Sequence, residues 1–309
     1  MERSAENRMS KPLLIVLAGP TAVGKTELCV RLARELDTEI VSADSRQFYR
    51  ELSIGTAKPT PEEQQGIPHH FVDSHSIADY FSVGDFEKEA LSTLAEIFSR
   101  KQVAILTGGS GLFLKVVTDG LDDMPEVNLE IRETLMERFR AEGMLPLTAE
   151  LQRLDPAYFE QVDRHNTQRV IRALEVCLSS GKPYSSFRSG QKAERPFDVV
   201  KIALTRDREV LYNRINLRVE QMIAAGLVAE VRSVAAYRDH YALRTVGYQE
   251  VLAYFDGELT EAEMIARIQQ NTRRYAKRQL TWFRHQGGYV WFDAADFKGV
   301  LEYVRSFKP

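Results

Sequence analysis

The run Gly19-Pro20-Thr21-Ala22-Val23-Gly24-Lys25-Thr26 has the spacing G-x-x-x-x-G-K-[ST], in which a glycine-rich turn opens directly into a helix. Backbone N–H groups of such a loop, with the positive end of the helix, cradle phosphate oxygens. Lys25 adds a point charge, and the Thr26 hydroxyl reaches a Mg²⁺. The pattern means that a di- or triphosphate binds, and by itself it points to a nucleotide kinase or NTPase. A motor of that kind is expected to carry an acid at the end of another buried strand. Val103-Ala104-Ile105-Leu106-Thr107, however, runs into Gly108-Gly109-Ser110-Gly111 with no acid. The carboxylate stands instead in Ser42-Ala43-Asp44-Ser45-Arg46-Gln47, at the end of a second apolar run, which puts Asp44 beside the phosphate loop at the carboxyl edge of a parallel sheet. Asp44 is the catalytic candidate. A carboxylate there can bind Mg²⁺, orient a hydroxyl, or take a proton from an attacking amine. The same residue type also suits a turn or a helix cap.

Other chemistry-bearing residues are less specific. Arg218 shares a helical stretch with Arg214 and Glu220 and taken alone reads as a solvated arginine. His69 and His70 have no further ligands at metal spacing and read as packing groups or as groups supporting the site from behind. Arg273, Arg274, Lys277, Arg278 and Arg284 form a basic tract without an acid, interleaved with Tyr275, Trp282 and Phe283. Such a helix can combine phosphate contacts with aromatic packing, and the spacing also suits an ordinary amphipathic helix.

The elements that must position these residues follow from hydrophobic periodicity. Leu13 to Ala18 is a short, wholly apolar run ending at Gly19-Pro20, and Thr26 to Leu36 has helical spacing, which gives strand, loop, helix. Glu39 to Ser42, Val103 to Leu106, Val199 to Leu204 and Tyr289 to Phe292 repeat the buried-strand pattern, with a helix from about Val83 to Ser99 between two of them. This alternation predicts an α/β fold, a parallel sheet with helices on both faces. The stretch Asp122 to Glu194 is helical in pattern, charged and without a buried strand; it reads as an inserted all-helical subdomain with turn formers at its edges. The expected division is a core over 10–122, a helical insertion over 123–194 and the rest of the core over 195–309.

With 309 residues, 44% hydrophobic and 28% charged, the chain can bury a full core. A formal net charge of −3 excludes a protein that coats nucleic acid through bulk positive charge, so any polyanion must meet a local basic patch. The two cysteines, Cys29 and Cys177, lie in helical patterns at neither metal nor redox spacing, which suits a reducing cytoplasm. The opening MERSAENRMS is polar and reads as a tail rather than a signal peptide, and no run is apolar enough for a membrane span. No obligatory protein partner is evident.

Taken in order, GPTAVGKT, ADSRQFYR, IGTAKPT (54–60), IPHHFVD (67–73) and LTGGSGLF (106–113) resemble the motifs of bacterial tRNA dimethylallyltransferases. The likeness continues through QRVIRALEV (168–176), RVEQMIAAGLVAEV (218–231), LRTVGYQE (243–250) and AKRQLTWFR (276–284), and so spans nearly the whole chain from Pro12. The resemblance implies a Mg²⁺-dependent transfer of the dimethylallyl group from dimethylallyl diphosphate to N6 of adenosine 37, beside the tRNA anticodon. Gly19 to Thr26 would hold the diphosphate, Asp44 would act as base, and Arg218 would be a further cation on the leaving group. It also implies tRNA contacts at Asp44, Ser45, Arg46, Gln47, Ser110 and Arg132, at Gln168, Arg169, Val170, Ile171 and Arg172, and at Arg244, Thr245, Val246, Gly247, Tyr248 and Gln249. The insertion would grip the anticodon stem-loop while the donor enters a channel from the opposite side. Two positions depart from the family pattern: Ser110 stands where threonine is usual and Phe113 where tyrosine is common. The cysteine count leaves no zinc-finger extension of the eukaryotic kind, which suits a bacterial, cytoplasmic enzyme. A small-molecule kinase of the shikimate kinase kind also places a carboxylate after its second strand, but it is shorter and leaves the insertion and basic tract unexplained. A noncatalytic RNA-binding protein would not need Gly24, Lys25, Thr26 and Asp44 all intact.

Overall fold

The computed structural model describes residues 11–126 and 128–307. The reading of the first ten residues as a tail therefore lies outside the described residues. Strands β1 (Leu13–Ala18), β2 (Ile40–Ser42), β3 (His69–His70), β4 (Val103–Gly108), β5 (Asp198–Thr205) and β6 (Val290–Asp293) form one sheet in the order β3-β2-β4-β1-β5-β6. Every pairing in it is parallel. Because a parallel sheet is covered on both faces, its central strand carries apolar side chains at every position. Leu13, Ile15 and Leu17 of β1 pack with the helix Lys25–Leu36 through Leu28, Leu32 and Leu36. Leu14, Val16 and Ala18 pack on the other face with the helix Val83–Phe98 through Phe86, Ala90, Leu94 and Ile97. A third cluster, around Tyr49, Leu52, Val219, Tyr248 and Ile268, ties the later helices to the loops that follow β2.

The sheet differs from the sequence pattern mainly at its ends. β2 begins at Ile40, and the carboxylate of the preceding Glu39 is engaged by the Arg100 guanidinium and by His70 Nε2 at 2.8 Å. These contacts hold that carboxyl below its usual range, the Arg100 hydrogen bond being the largest cause. β3 is made by the two histidines that read as packing groups. A two-residue strand has no periodicity, so only pairing with Ile40 and Val41 defines it.

Residues Asp119–Glu194 form a compact unit of their own. Helices Leu129–Glu142, Met144–Leu154, Pro156–Phe159 and Thr167–Ser180 bury Leu135, Leu147, Leu151, Val170 and Leu174, and no strand occurs among the unit's described residues. At its edge the returning chain meets the unit's first residue, Ala193 N–H donating to the Asp119 carbonyl at 2.8 Å. Among the described residues no helix is long and apolar enough to cross a membrane.

One close approach fixes the spacing of two strand ends. A Cβ on Gly108 would stand 2.8 Å from the carbonyl carbon and oxygen of Ala43, and both neighbours are backbone that cannot swing away. Gly108→Ala is expected to lower stability by about 1–3 kcal/mol, as overpacking does. The measurement is a urea titration, with the midpoint falling at unchanged slope; a midpoint equal to that of the wild type would show that the loops after β2 and β4 separate without cost.

Candidate active site

The loops at the carboxyl ends of β1, β2, β4 and β5 meet above the centre of the sheet, where a switch in strand order opens a crevice. The phosphate loop turns into its helix at Gly24, whose φ of 114° is open to glycine and strained for any other residue. Ala22, also in the loop, has a φ of 62°, a left-handed conformation uncommon for a residue with a Cβ. Lys25 Nζ donates to the carbonyls of Gly19 at 3.0 Å and Pro20 at 2.9 Å. An ammonium has three donors, so one remains for an anion. Burial pulls the Lys25 pKa down to about 8, and the nearby Asp44 carboxylate opposes that shift.

Asp44 stands just beyond β2, in a turn closed by its own groups. Arg46 N–H donates to Asp44 Oδ1 at 3.2 Å, and Gln47 N–H donates to the Asp44 carbonyl at 3.1 Å. Some of its surface faces a cavity, and protein encloses the rest. Burial raises its pKa above the ordinary carboxylate value, while the Arg46 N–H and the Lys25 charge pull the other way. The carboxylate is thus more basic than an exposed one, as a group that accepts a proton should be.

The cavity has a volume of about 590 Å³. Thr21, Ala22, Gly24, Lys25 and Thr26 of the phosphate loop line it, together with Asp44, Arg46 and Gln47 and with Arg218, Thr245, Val246 and Gly247. Val23 is buried, its carbonyl taken by Arg206. Ser45 and Ser110 join the loops after β2 and β4: Ser45 N–H donates to Ser110 Oγ at 3.3 Å, and the two hydroxyls lie 3.2 Å apart. Arg244 and Gln249 are exposed. Arg132 and residues 168–172 belong to the unit Asp119–Glu194. There Gln168 and Arg169 are exposed, and Arg132 and Arg172 approach the buried Glu175 carboxylate at 3.5 and 3.3 Å.

Three sequence-predicted RNA contacts need correction. Val170 and Ile171 are 0% and 4% exposed, because the helix Thr167–Ser180 turns them into its unit's core. Tyr248 is fully buried, with its hydroxyl on Glu230 at 2.6 Å. None of the three side chains has a surface to offer RNA.

Other residues enter the site that the sequence had not assigned to it. The Gln279 side chain, 6% exposed, accepts from Thr21 N–H at 2.9 Å and donates to the Gly109 carbonyl at 3.0 Å, joining the phosphate loop to the loop after β4. It sits in the long helix Glu261–Gln286, beside Tyr275, which also lines the cavity. Tyr275, 36% exposed, has its pKa pushed up to about 12, by desolvation among its neighbours first and by the Asp44 charge second. Arg214 Nε donates to the Ala22 carbonyl at 2.8 Å and Arg206 Nε to the Val23 carbonyl at 3.1 Å, so two guanidiniums grip the phosphate loop. The spacing of Arg214 one helical turn before Arg218 was a usable signal for a shared face. The bridging role of Gln279 had none, because its partners are 258 and 170 residues away.

A family model described as IPP transferase matches residues 47–286. tRNA dimethylallyltransferase 1 of Bacteroides thetaiotaomicron is 49% identical over 294 residues, covering 95% of this chain and 96% of that protein. The solved tRNA isopentenylpyrophosphate transferase of Bacillus halodurans is similar with a TM-score of 0.70 and 37% identity over 96% of each chain. A eukaryotic dimethylallyltransferase acting on tRNA is similar with a TM-score of 0.78 and 26% identity over 93% of this chain and 75% of that one.

Binding of inorganic diphosphate tests the cradle directly. Lys25→Met should weaken it roughly 10- to 100-fold, the worth of one charge-assisted hydrogen bond. A lysine with a lowered pKa is a cation below that pKa and neutral above it. The wild-type advantage over Lys25→Met, measured by calorimetry, should therefore shrink as pH rises through about 8. An advantage constant across that range would mean that Lys25 does not meet the anion.

Proposed function

Because this chain belongs to the IPP transferase family, we propose that it transfers the dimethylallyl group of dimethylallyl diphosphate to N6 of adenosine 37 in tRNA. The products are N6-dimethylallyladenosine and diphosphate. The observation that carries this reading is the shared cavity: a carboxylate made more basic by burial faces a phosphate loop ringed by Lys25, Arg214 and Arg218. The exocyclic amine of adenine is a weak nucleophile, so the reaction needs a good leaving group and a base together. The amine nitrogen forms a bond to the first carbon of the prenyl chain as the bond from that carbon to the diphosphate oxygen breaks. The amine proton passes to Asp44, and the electron pair leaves with diphosphate. Lys25, the first turn of its helix and Arg218 meet the charge that grows there.

A Mg²⁺ fits the donor set in one manner. Among the described residues no three His, Cys, Asp or Glu are grouped to hold a metal ion. This ion is commonly held by few protein oxygens together with substrate phosphates, and the Thr26 hydroxyl, in the cavity, is where it would attach. When bound, it would neutralise charge on the diphosphate.

An adenine stacked in the anticodon loop cannot reach Asp44, so it is swung out at a cost of a few kcal/mol. Contacts that compensate come from Ser45, Arg46, Gln47, Ser110, Thr245, Val246 and Gly247 at the site, with Arg244 and Gln249 outside it. The exposed Gln168 and Arg169, with Arg132 and Arg172, serve the anticodon stem-loop from the helical unit. This reading places the protein in the cytoplasm with its tRNA.

Two experiments test it. Wild-type protein given unmodified tRNA with labelled dimethylallyl diphosphate or labelled ATP should transfer label from the isoprenoid alone, and Asp44→Asn should lower turnover roughly 10²- to 10⁴-fold. Transfer from ATP, or full turnover by Asp44→Asn, defeats this assignment. The double change of Gln168 and Arg169 to Ala should weaken tRNA binding in filter assays while diphosphate affinity stays unchanged; undiminished tRNA affinity would remove these two residues from recognition.

A further inference from the structure

Glu230, in the helix Leu227–Ser233, has no part in the chemistry above, yet its carboxylate is among the most engaged groups near the cavity. Oε2 accepts from the backbone N–H of Ser53 at 2.9 Å and of Ile54 at 2.7 Å. Oε1 accepts from Gly55 N–H at 2.9 Å and from the Tyr248 hydroxyl at 2.6 Å. Successive backbone N–H groups aimed at one point make an anion-binding concavity, and here the chain's own carboxylate fills it. The fit is tight: a Cβ on Gly55 would lie 2.5 Å from the Tyr248 ring. One carboxylate thus binds three separate pieces, its own helix, the loop after residue 52 and the start of the helix Tyr248–Phe255.

What that loop touches next gives the contact its consequence. Thr56, Ala57 and Lys58 line the cavity. The Gln47 side-chain amide donates to the carbonyls of Thr56 at 3.2 Å and Ala57 at 3.3 Å, and Gln47 N–H closes the turn on the Asp44 carbonyl at 3.1 Å. A continuous line of hydrogen bonds therefore runs from Glu230 through the loop and Gln47 to the turn that aims Asp44. The phosphate loop is held separately, by Gln279, Arg206 and Arg214.

We propose that Glu230 is a positioning residue for the transfer reaction, fixing the aim of Asp44 through the 53–57 loop and Gln47. The inference rests on the functional reading above. Glu230 touches neither substrate nor reacting atoms, and its effect falls on turnover rather than on the grip on diphosphate.

The test is Glu230→Gln, which keeps length and shape. Whichever outer atom becomes the NH₂ then faces at least one backbone N–H. Turnover of dimethylallyl diphosphate with saturating tRNA should fall on the order of 10- to 100-fold, the size of effect that a small misplacement of a catalytic group produces. Affinity for inorganic diphosphate should stay within about twofold, and Glu230→Asp, which retains the carboxylate, should recover part of the loss. In a double-mutant cycle with Gln47→Leu the two losses should not multiply, because both changes cut the same line. Wild-type turnover in Glu230→Gln, or losses that multiply in the double variant, overturns the proposal. So does a parallel decline of turnover, diphosphate affinity and melting temperature, which would assign Glu230 to folding alone. Failure of the functional reading shows differently, as a wild-type protein that transfers no prenyl group in the same assay.

Discussion

Lys25 and Asp44 face one cavity with opposite charges, and burial works against both. It drives the lysine toward its neutral amine and the aspartate toward its neutral acid. Each charge partly restores the other, and local hydrogen bonds do the rest: two carbonyls hold the ammonium, and the Arg46 N–H supports the carboxylate. The rest of the site keeps these two groups close enough to sustain one another and far enough from bulk water to matter. A diphosphate leaving group and an amine nucleophile need that pairing, a cation at one end and a proton acceptor at the other.

The sheet supplies the geometry. Parallel strands all point their carboxyl ends to one edge, so loops far apart in sequence arrive at the same crevice. The phosphate loop follows β1, the Asp44 turn follows β2 and the Gly109–Ser110 loop follows β4. Close contacts lock them: Gly108 against Ala43, Ser45 against Ser110, and Gln279 across the phosphate loop and Gly109. The long helix that contributes Gln279 and Tyr275 also carries the basic residues Arg274, Lys277 and Arg278 on exposed positions. The element that supports the phosphate loop from inside therefore presents its charge to solvent.

Charges on this chain sort by whether they have a structural partner. Glu39 is matched by Arg100 and His70, and Glu230 by four donors; both carboxylates hold loops or strands in place. Asp44 has fewer partners and open space before it, and that combination marks a group available for reaction. Arg218 is similar on the cationic side. Burial lowers its pKa, the neighbouring Arg214 adds to the effect, and it lines the cavity.

The sequence by itself determined the parts whose physics is local. The phosphate loop was legible because its glycines, lysine and threonine act within one turn. The strands β1 and β4 were legible because complete burial leaves an unbroken apolar run, and Asp44 stood out as the acid after the second such run. The helical character of the stretch Asp122 to Glu194 was likewise written in its pattern. Tertiary structure alone decided the rest, because those features depend on partners distant in the chain. The histidine pair became a strand only by lying beside Ile40 and Val41, and Val170, Ile171 and Tyr248 proved to be core because their helices turned them inward. Gln279 and Glu230 gained their roles from backbone groups of other loops. A side-chain amide or carboxylate has no pattern of its own in a sequence; its meaning comes from whichever N–H and C=O groups the fold brings within hydrogen-bonding distance.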